Sequence, residues 1–90
     1  MDIDNLVEMA NRIGEFFQAM PDRAEAEAGI VEHLRKFWEP RMRMQLLGHL
    51  DEHDGAGLLP IVLESLREGR EALAPLARDG AARLPRTGSA

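Results

Sequence analysis

The chain of 90 residues has no cysteine and no tyrosine, and only one tryptophan. Without thiols there is no disulfide, no cysteine nucleophile, no Cys-ligated zinc and no iron–sulfur cluster held by the chain's own cysteines. No apolar run approaches the roughly 20 residues that cross a bilayer, so no membrane partner is expected. Positive charge is not in excess either. The formal net charge is −5, which argues against nucleic acid, whose binding rests on phosphate neutralisation. Alternating β-branched runs are missing, and with them the mark of a strand. The start, MDIDNLVE, is acidic where a signal or transit peptide is basic. A cytoplasmic location is the expectation, and the lack of cysteine fits it.

What is present is a globular composition, 44% hydrophobic and 30% charged. A chain of this length makes one small domain whose own core gives marginal stability. Glycine and proline divide it into helical segments. The first runs from Ile3 to Met20 and stops at Pro21. At about 100° per residue, Leu6, Val7, Met9, Ala10, Ile13, Gly14, Phe16, Phe17 and Met20 fill half of its circumference. Gly14 lies inside that arc, where a second backbone can approach closely. The second segment opens on Asp22-Arg23-Ala24-Glu25, an Asp cap with Glu three residues on. Ala26, Ile30, Val31, Leu34, Phe37 and Trp38 share one side of it. It should end near Glu39, since the residue before proline avoids the helical region.

Pro40 suits the first turn of a third helix, with Met42, Leu46, Leu47 and Leu50 on its apolar side. That helix breaks around Asp54-Gly55-Ala56-Gly57. A fourth begins near Pro60, carries Val62, Leu63 and Leu66, and is weakened at Gly69. These readings predict an all-α fold, a bundle of three or four helices built on an N-terminal antiparallel hairpin turned at Met20-Pro21-Asp22. Ala10, Gly14, Ile30, Leu34 and Phe37 are expected to line the hairpin contact. The helical domain is expected over residues 1–76, with a flexible tail over 77–90.

Candidate chemical groups are few. His49 and His53 share a helix face at a spacing that can hold a divalent metal, but both border an apolar stripe, where a boundary histidine is ordinary. His33 borders Ala26 and Phe37 and reads as a partly buried structural histidine. No nucleophile–base–acid set or phosphate-cradling loop is present. Met44 points away from its helix's stripe, unlike Met9, Met20 and Met42, and is the methionine expected at the surface.

The adjacent pairs Phe16-Phe17 and Phe37-Trp38 say more. Neighbours on a helix diverge by about 100°, so both members are covered only if the helix is wrapped widely. In so short a chain, one member of each pair is expected to meet another polypeptide. Trp38 also lies in the densest basic cluster, Arg35, Lys36, Arg41 and Arg43. Either it anchors an interface, with Arg41 and Arg43 pairing with a partner's carboxylates, or it caps the chain's own core.

MANRIGEFFQAMPD and GIVEHLRKFWEPRMR, with the stretch from about Ile3 to Leu66 around them, closely resemble the delta subunit of cytoplasmic, NAD-dependent, molybdenum-type formate dehydrogenase. The likeness is densest at Met9–Gly14, Phe16-Phe17, Met20–Asp22 and Phe37–Arg43, and it fades after Arg67. The resemblance implies a helical accessory subunit with no cofactor and no catalytic residue of its own. It implies an alpha subunit holding molybdopterin guanine dinucleotide and iron–sulfur clusters, a beta subunit with FMN and the NAD site, and a gamma subunit with a further iron–sulfur cluster. Together they oxidise formate to carbon dioxide. The alpha subunit is the expected partner, met through Phe16, Trp38, Arg41, Arg43 and Met44. Two roles remain open: a permanent subunit, or a transient, chaperone-like factor for cofactor insertion.

Overall fold

A computed structural model of the protein describes residues 2–74. Five helices make up these residues, and no strand occurs among them: α1 (Ile3–Gln18), α2 (Arg23–Phe37), α3 (Pro40–His53), α4 (Pro60–Glu68) and α5 (Arg70–Leu73). The tail expected at 77–90, and the boundary placed at 76, lie outside the described residues.

The helix ends follow local chemistry. Asp2 caps α1 by accepting from the Asp4 amide at 3.4 Å, and Asp22 caps α2 by accepting from the Glu25 amide at 3.2 Å. Each satisfies one of the orphan N–H groups of a first turn. Ala19–Asp22 is short enough that α2 must fold back on α1. At its far end α2 stops at Phe37. Trp38 leaves the helix with an extended backbone (ψ 138°) while its N–H still donates to the Leu34 carbonyl at 3.0 Å. Pro40 then opens α3, so Trp38 and Glu39 alone separate the two helices. The α3 helix ends on Asp54 in the left-handed region, φ 55°, followed by Gly55 and Gly57 at positive φ.

The core draws on every helix: Leu6 and Ala10 from α1, Ala26, Ile30 and Leu34 from α2, Leu46, Leu47 and Leu50 from α3, Ile61, Val62 and Leu66 from α4, and Leu73 from α5. Each large aliphatic side chain taken fully from water contributes about 1.5–3 kcal/mol. Asn11 ties the return loop to α1 from both sides. Its Nδ2 donates to the Gly57 carbonyl and its Oδ1 accepts from the Leu59 amide, each at 2.9 Å. In α4 the buried Ser65 hydroxyl donates to the Ile61 carbonyl at 2.7 Å, so no unmet polar group enters the core there. Arg70 of α5 forms a two-pronged pair with Asp51 near the end of α3, one prong at 2.7 Å.

Two expectations about the hairpin contact are corrected. Gly14 does admit a close neighbour, but that neighbour is α4: a Cβ on Gly14 would lie 2.5 Å from Val62 Cγ2 and 3.5 Å from Ile61 Cγ2. Phe37 is not between α1 and α2; it faces outward. Ala10, Ile30 and Leu34 are in the shared core as expected. Gly69 does end α4, and α5 adds one further turn.

Candidate interaction surface

Each aromatic pair divides between the interior and the surface. Phe17 packs against the core and Phe16 is 73% exposed; Trp38 is 6% exposed and Phe37 is 70% exposed. Phe17 is drawn inward because Gly29 leaves room for its ring: a Cβ there would lie 2.5 Å from Phe17 Cε1. The rings form a continuous strip across α1 and α2. Phe16 meets Phe17 edge-on with centroids 5.1 Å apart, Phe17 meets His33 at 6.3 Å, and His33 meets Phe37 at 4.9 Å. An apolar hollow of about 340 Å³ opens on this strip, lined by Arg12, Ile13, Phe16, Phe17 and His33. A lone exposed phenylalanine is unremarkable, but two at the ends of one ring strip over an open hollow form a contiguous apolar patch, the kind that marks a contact with another protein.

Of the two places open to Trp38, the chain shows the interior one. The indole belongs to the core cluster, and Phe37 takes the outward position beside it. The helical wheel put both on one arc because it continued α2 through Trp38. Once the backbone turns extended at that residue, its side chain no longer follows the helical phase.

The basic cluster splits in the same way. Glu32 answers Arg35 at 2.8 Å and Lys36 at 3.4 Å. The hydrogen bond from Arg35, with its charge and the contact from Lys36, holds the Glu32 carboxyl below its ordinary value. Arg41 is exposed and has no ion pair or hydrogen bond among the described residues. Arg43 is 9% exposed, and its Nε is enclosed without a hydrogen-bond partner. The signal for its burial was present in the sequence: Leu46, Leu47 and Leu50 follow Arg43 by three, four and seven residues, placing it on the apolar stripe. Met44 is 41% exposed, so its predicted surface position stands.

The other candidate groups do not assemble a reactive site. The His49 and His53 rings are 5.6 Å apart, and His49 Nε2 lies 2.8 Å from the Ala56 carbonyl, an internal bond that fixes the loop. No group of three His, Cys, Asp or Glu side chains is arranged to hold a metal among the described residues. No helix among them is long and apolar enough to cross a membrane. One acidic contact was not foreseen. Glu27, buried on α2 and paired with Arg23 at 2.7 Å, shares a hydrogen bond with Glu68 of α4. That bond, with repulsion from Glu27 and Glu64, raises the Glu68 carboxyl above its ordinary value against the pull of Arg23.

With its own core, a ring strip left open to solvent and, in the first turn of α3, two arginines without an acid among the described residues, the chain is a small all-α module with an exposed apolar surface. Its particular membership follows from comparison. The family described as NADH-dependant formate dehydrogenase delta subunit FdsD matches residues 5–66, more than half of the chain, and the chain belongs to that family. No curated protein and no solved structure matches it.

Proposed function

We propose that the chain is a permanent, non-catalytic subunit of a cytoplasmic, NAD-dependent formate dehydrogenase, docked on the alpha subunit and supporting its assembly or stability. In this reading the chemistry lies in the partners: molybdopterin guanine dinucleotide and iron–sulfur clusters in alpha, FMN and the NAD site in beta, and a further cluster in gamma. The delta chain contributes surface. The observation that carries the reading is the ring strip ending in Phe16 and Phe37, both largely exposed on a chain that belongs to a family of enzyme subunits. Aromatic residues and arginine supply much of the energy at interfaces. Phe16, Phe37, Met44 and Arg41 are all outward-facing, and the buried Trp38 lies in the two-residue corner between α2 and α3 that Phe37 and Arg41 flank in sequence. Permanent interfaces are more apolar than transient ones, and an aromatic strip fits the permanent role.

Co-expression with the other subunits, followed by subunit counting, tests this. The wild-type chain should purify at one copy per alpha subunit; loss to substoichiometric levels on purification would assign the transient, chaperone-like role instead. Phe16→Ala combined with Phe37→Ala should weaken retention, each truncated anchor costing about 2–4 kcal/mol of binding. The isolated chain should neither turn over formate nor bind NAD. Full retention of the double variant would remove the strip as the docking surface.

A further inference from the structure

The first turn of α3 carries positive charge that nothing among the described residues offsets. Helices α1 and α2 each begin with an aspartate cap and an acid in the first turn, Asp4 and Glu25 respectively. Helix α3 begins with neither: Glu39 makes no side-chain cap bond and the first turn holds no acid. In place of acids it holds Arg41 and, at the next position after Met42, Arg43. The amino end of a helix already bears a partial positive charge and outward N–H groups. Cations there are the reverse of what favours the helix itself.

Arg43 adds an independent demand. It is 9% exposed and makes no ion pair or hydrogen bond among the described residues. Its Nε is the one enclosed side-chain nitrogen or oxygen without a partner there. The two terminal nitrogens, also without partners, are therefore where the guanidinium still meets solvent. A buried arginine stem with its planar fork held at the surface is a rigid donor pair, matched in geometry to the two oxygens of a carboxylate. The cations Arg12, Arg23, Arg35, Lys36 and Arg70 all have a carboxylate of their own. An enclosed charge left without one destabilises the chain that holds it.

We propose that the first turn of α3 is a receptor for a carboxylate side chain of the partner subunit, with Arg43 as the fixed two-pronged donor and Arg41 as a second cation at its rim. This rests on the accessory-subunit reading and gives its docking surface a polar specificity element beside the ring strip. The receptor has a consequence that a structural arginine does not share. Removing the guanidinium should affect the isolated chain and the complex in opposite directions.

Arg43→Met, which keeps the apolar stem length and removes the charge, tests it. Thermal melting of the isolated full chain should stay at or rise above the wild-type value. Retention of the same variant by the co-expressed formate dehydrogenase subunits should fall by about 30-fold or more, the usual consequence of removing one partner of an enclosed charge pair. Arg43→Lys, which keeps the charge but not the fork, should lie between. A lower melting temperature for isolated Arg43→Met, whatever happens to assembly, makes Arg43 a structural residue and overturns the receptor. Unchanged assembly of Arg43→Met beside a wild type that assembles overturns it too, and leaves the accessory-subunit reading standing. Failure of the wild-type chain to assemble removes both.

Discussion

The seam between α1 and α4 and the corner between α2 and α3 are built from similar materials to opposite ends. At the seam the groups packed between the helices find their partners within the chain. Val62 fills the space over Gly14, Asn11 satisfies both a carbonyl and an amide of the return loop, and Ser65 bonds within its own helix. At the corner Phe37 faces water and, among the described residues, Arg41 is without an acid and Arg43 Nε has no acceptor. The seam accounts for how so short a chain holds a fold; in the proposed reading, the corner is what it offers to another protein. On that reading stability and docking are separated in space, so changes in one region should leave the other nearly untouched.

The largest test of that separation lies in the core beside the seam. Leu6, wholly buried on α1, should cost about 2–5 kcal/mol of folding free energy when changed to alanine, read by urea unfolding. A loss below about 1 kcal/mol would mean that the core beneath α1 collapses around the gap and is not the well-packed region described. Next in size is Asn11→Ala. It strands the Leu59 amide and the Gly57 carbonyl, and about 1–3 kcal/mol should be lost. Hydrogen exchange should quicken at the Leu59 amide before it does at the α2 amides; uniform acceleration would show that the loop tie is not local. At the corner, Phe37→Ala should shift the isolated chain's stability by no more than about 0.5 kcal/mol, as for other exposed sites. A core-sized loss there would erase the contrast.

The smallest effect concerns pH and the Glu27–Glu68 contact between α2 and α4. The Glu68 carboxyl is raised above its ordinary value of 4.5, first by its hydrogen bond with Glu27. A folded value above the unfolded one gives stability that is present below 4.5 and lost as pH rises through the folded value. Glu32 has the opposite sign: lowered by Arg35, it contributes above 4.5 and loses that contribution as pH falls through its folded value. Glu68→Gln keeps a hydrogen-bond donor at every pH, so at pH about 7 it should melt slightly above wild type, and the gap should close in acid. A gap that persists below the unfolded value would show that Glu68 acts through something other than its proton.

Much of this could be read from the sequence where the determinants are local. Asp22, Pro40, Pro60 and Gly69 mark helix boundaries because caps, fixed φ and missing N–H groups act within a turn of where they stand. Longer-range features were less legible. Gly14 announced that a backbone would come close, but the identity of that neighbour depends on chain closure some 45 residues away, which helical phase does not encode. The division of Phe37 from Trp38 turned on one residue's ψ. A wheel that runs one position too far misplaces the larger ring. Arg43 was legible as a stripe residue, yet charge drew it into the surface set, because an arginine can bury its stem while its fork stays wet. The Glu27–Glu68 contact joins two helices whose acids each look like part of a solvated face.

The link of Trp38 and Glu39 has one more consequence, and it concerns entropy. Phe37 and Arg41 stand on either side of a two-residue elbow that has little freedom left: the indole is enclosed, and Pro40 fixes its own φ. Immobilising a flexible side chain at an interface typically costs about 0.5–1.5 kcal/mol, and loops cost more. Here the backbone that carries the two side chains is set when the chain folds, so only the side chains themselves are left to be ordered. The ring on one side and the cations on the other are carried on a fixed corner, so in the proposed complex engaging one would bring the other close. Preorganisation of this kind acts mainly on how long a complex lasts rather than on how quickly it forms.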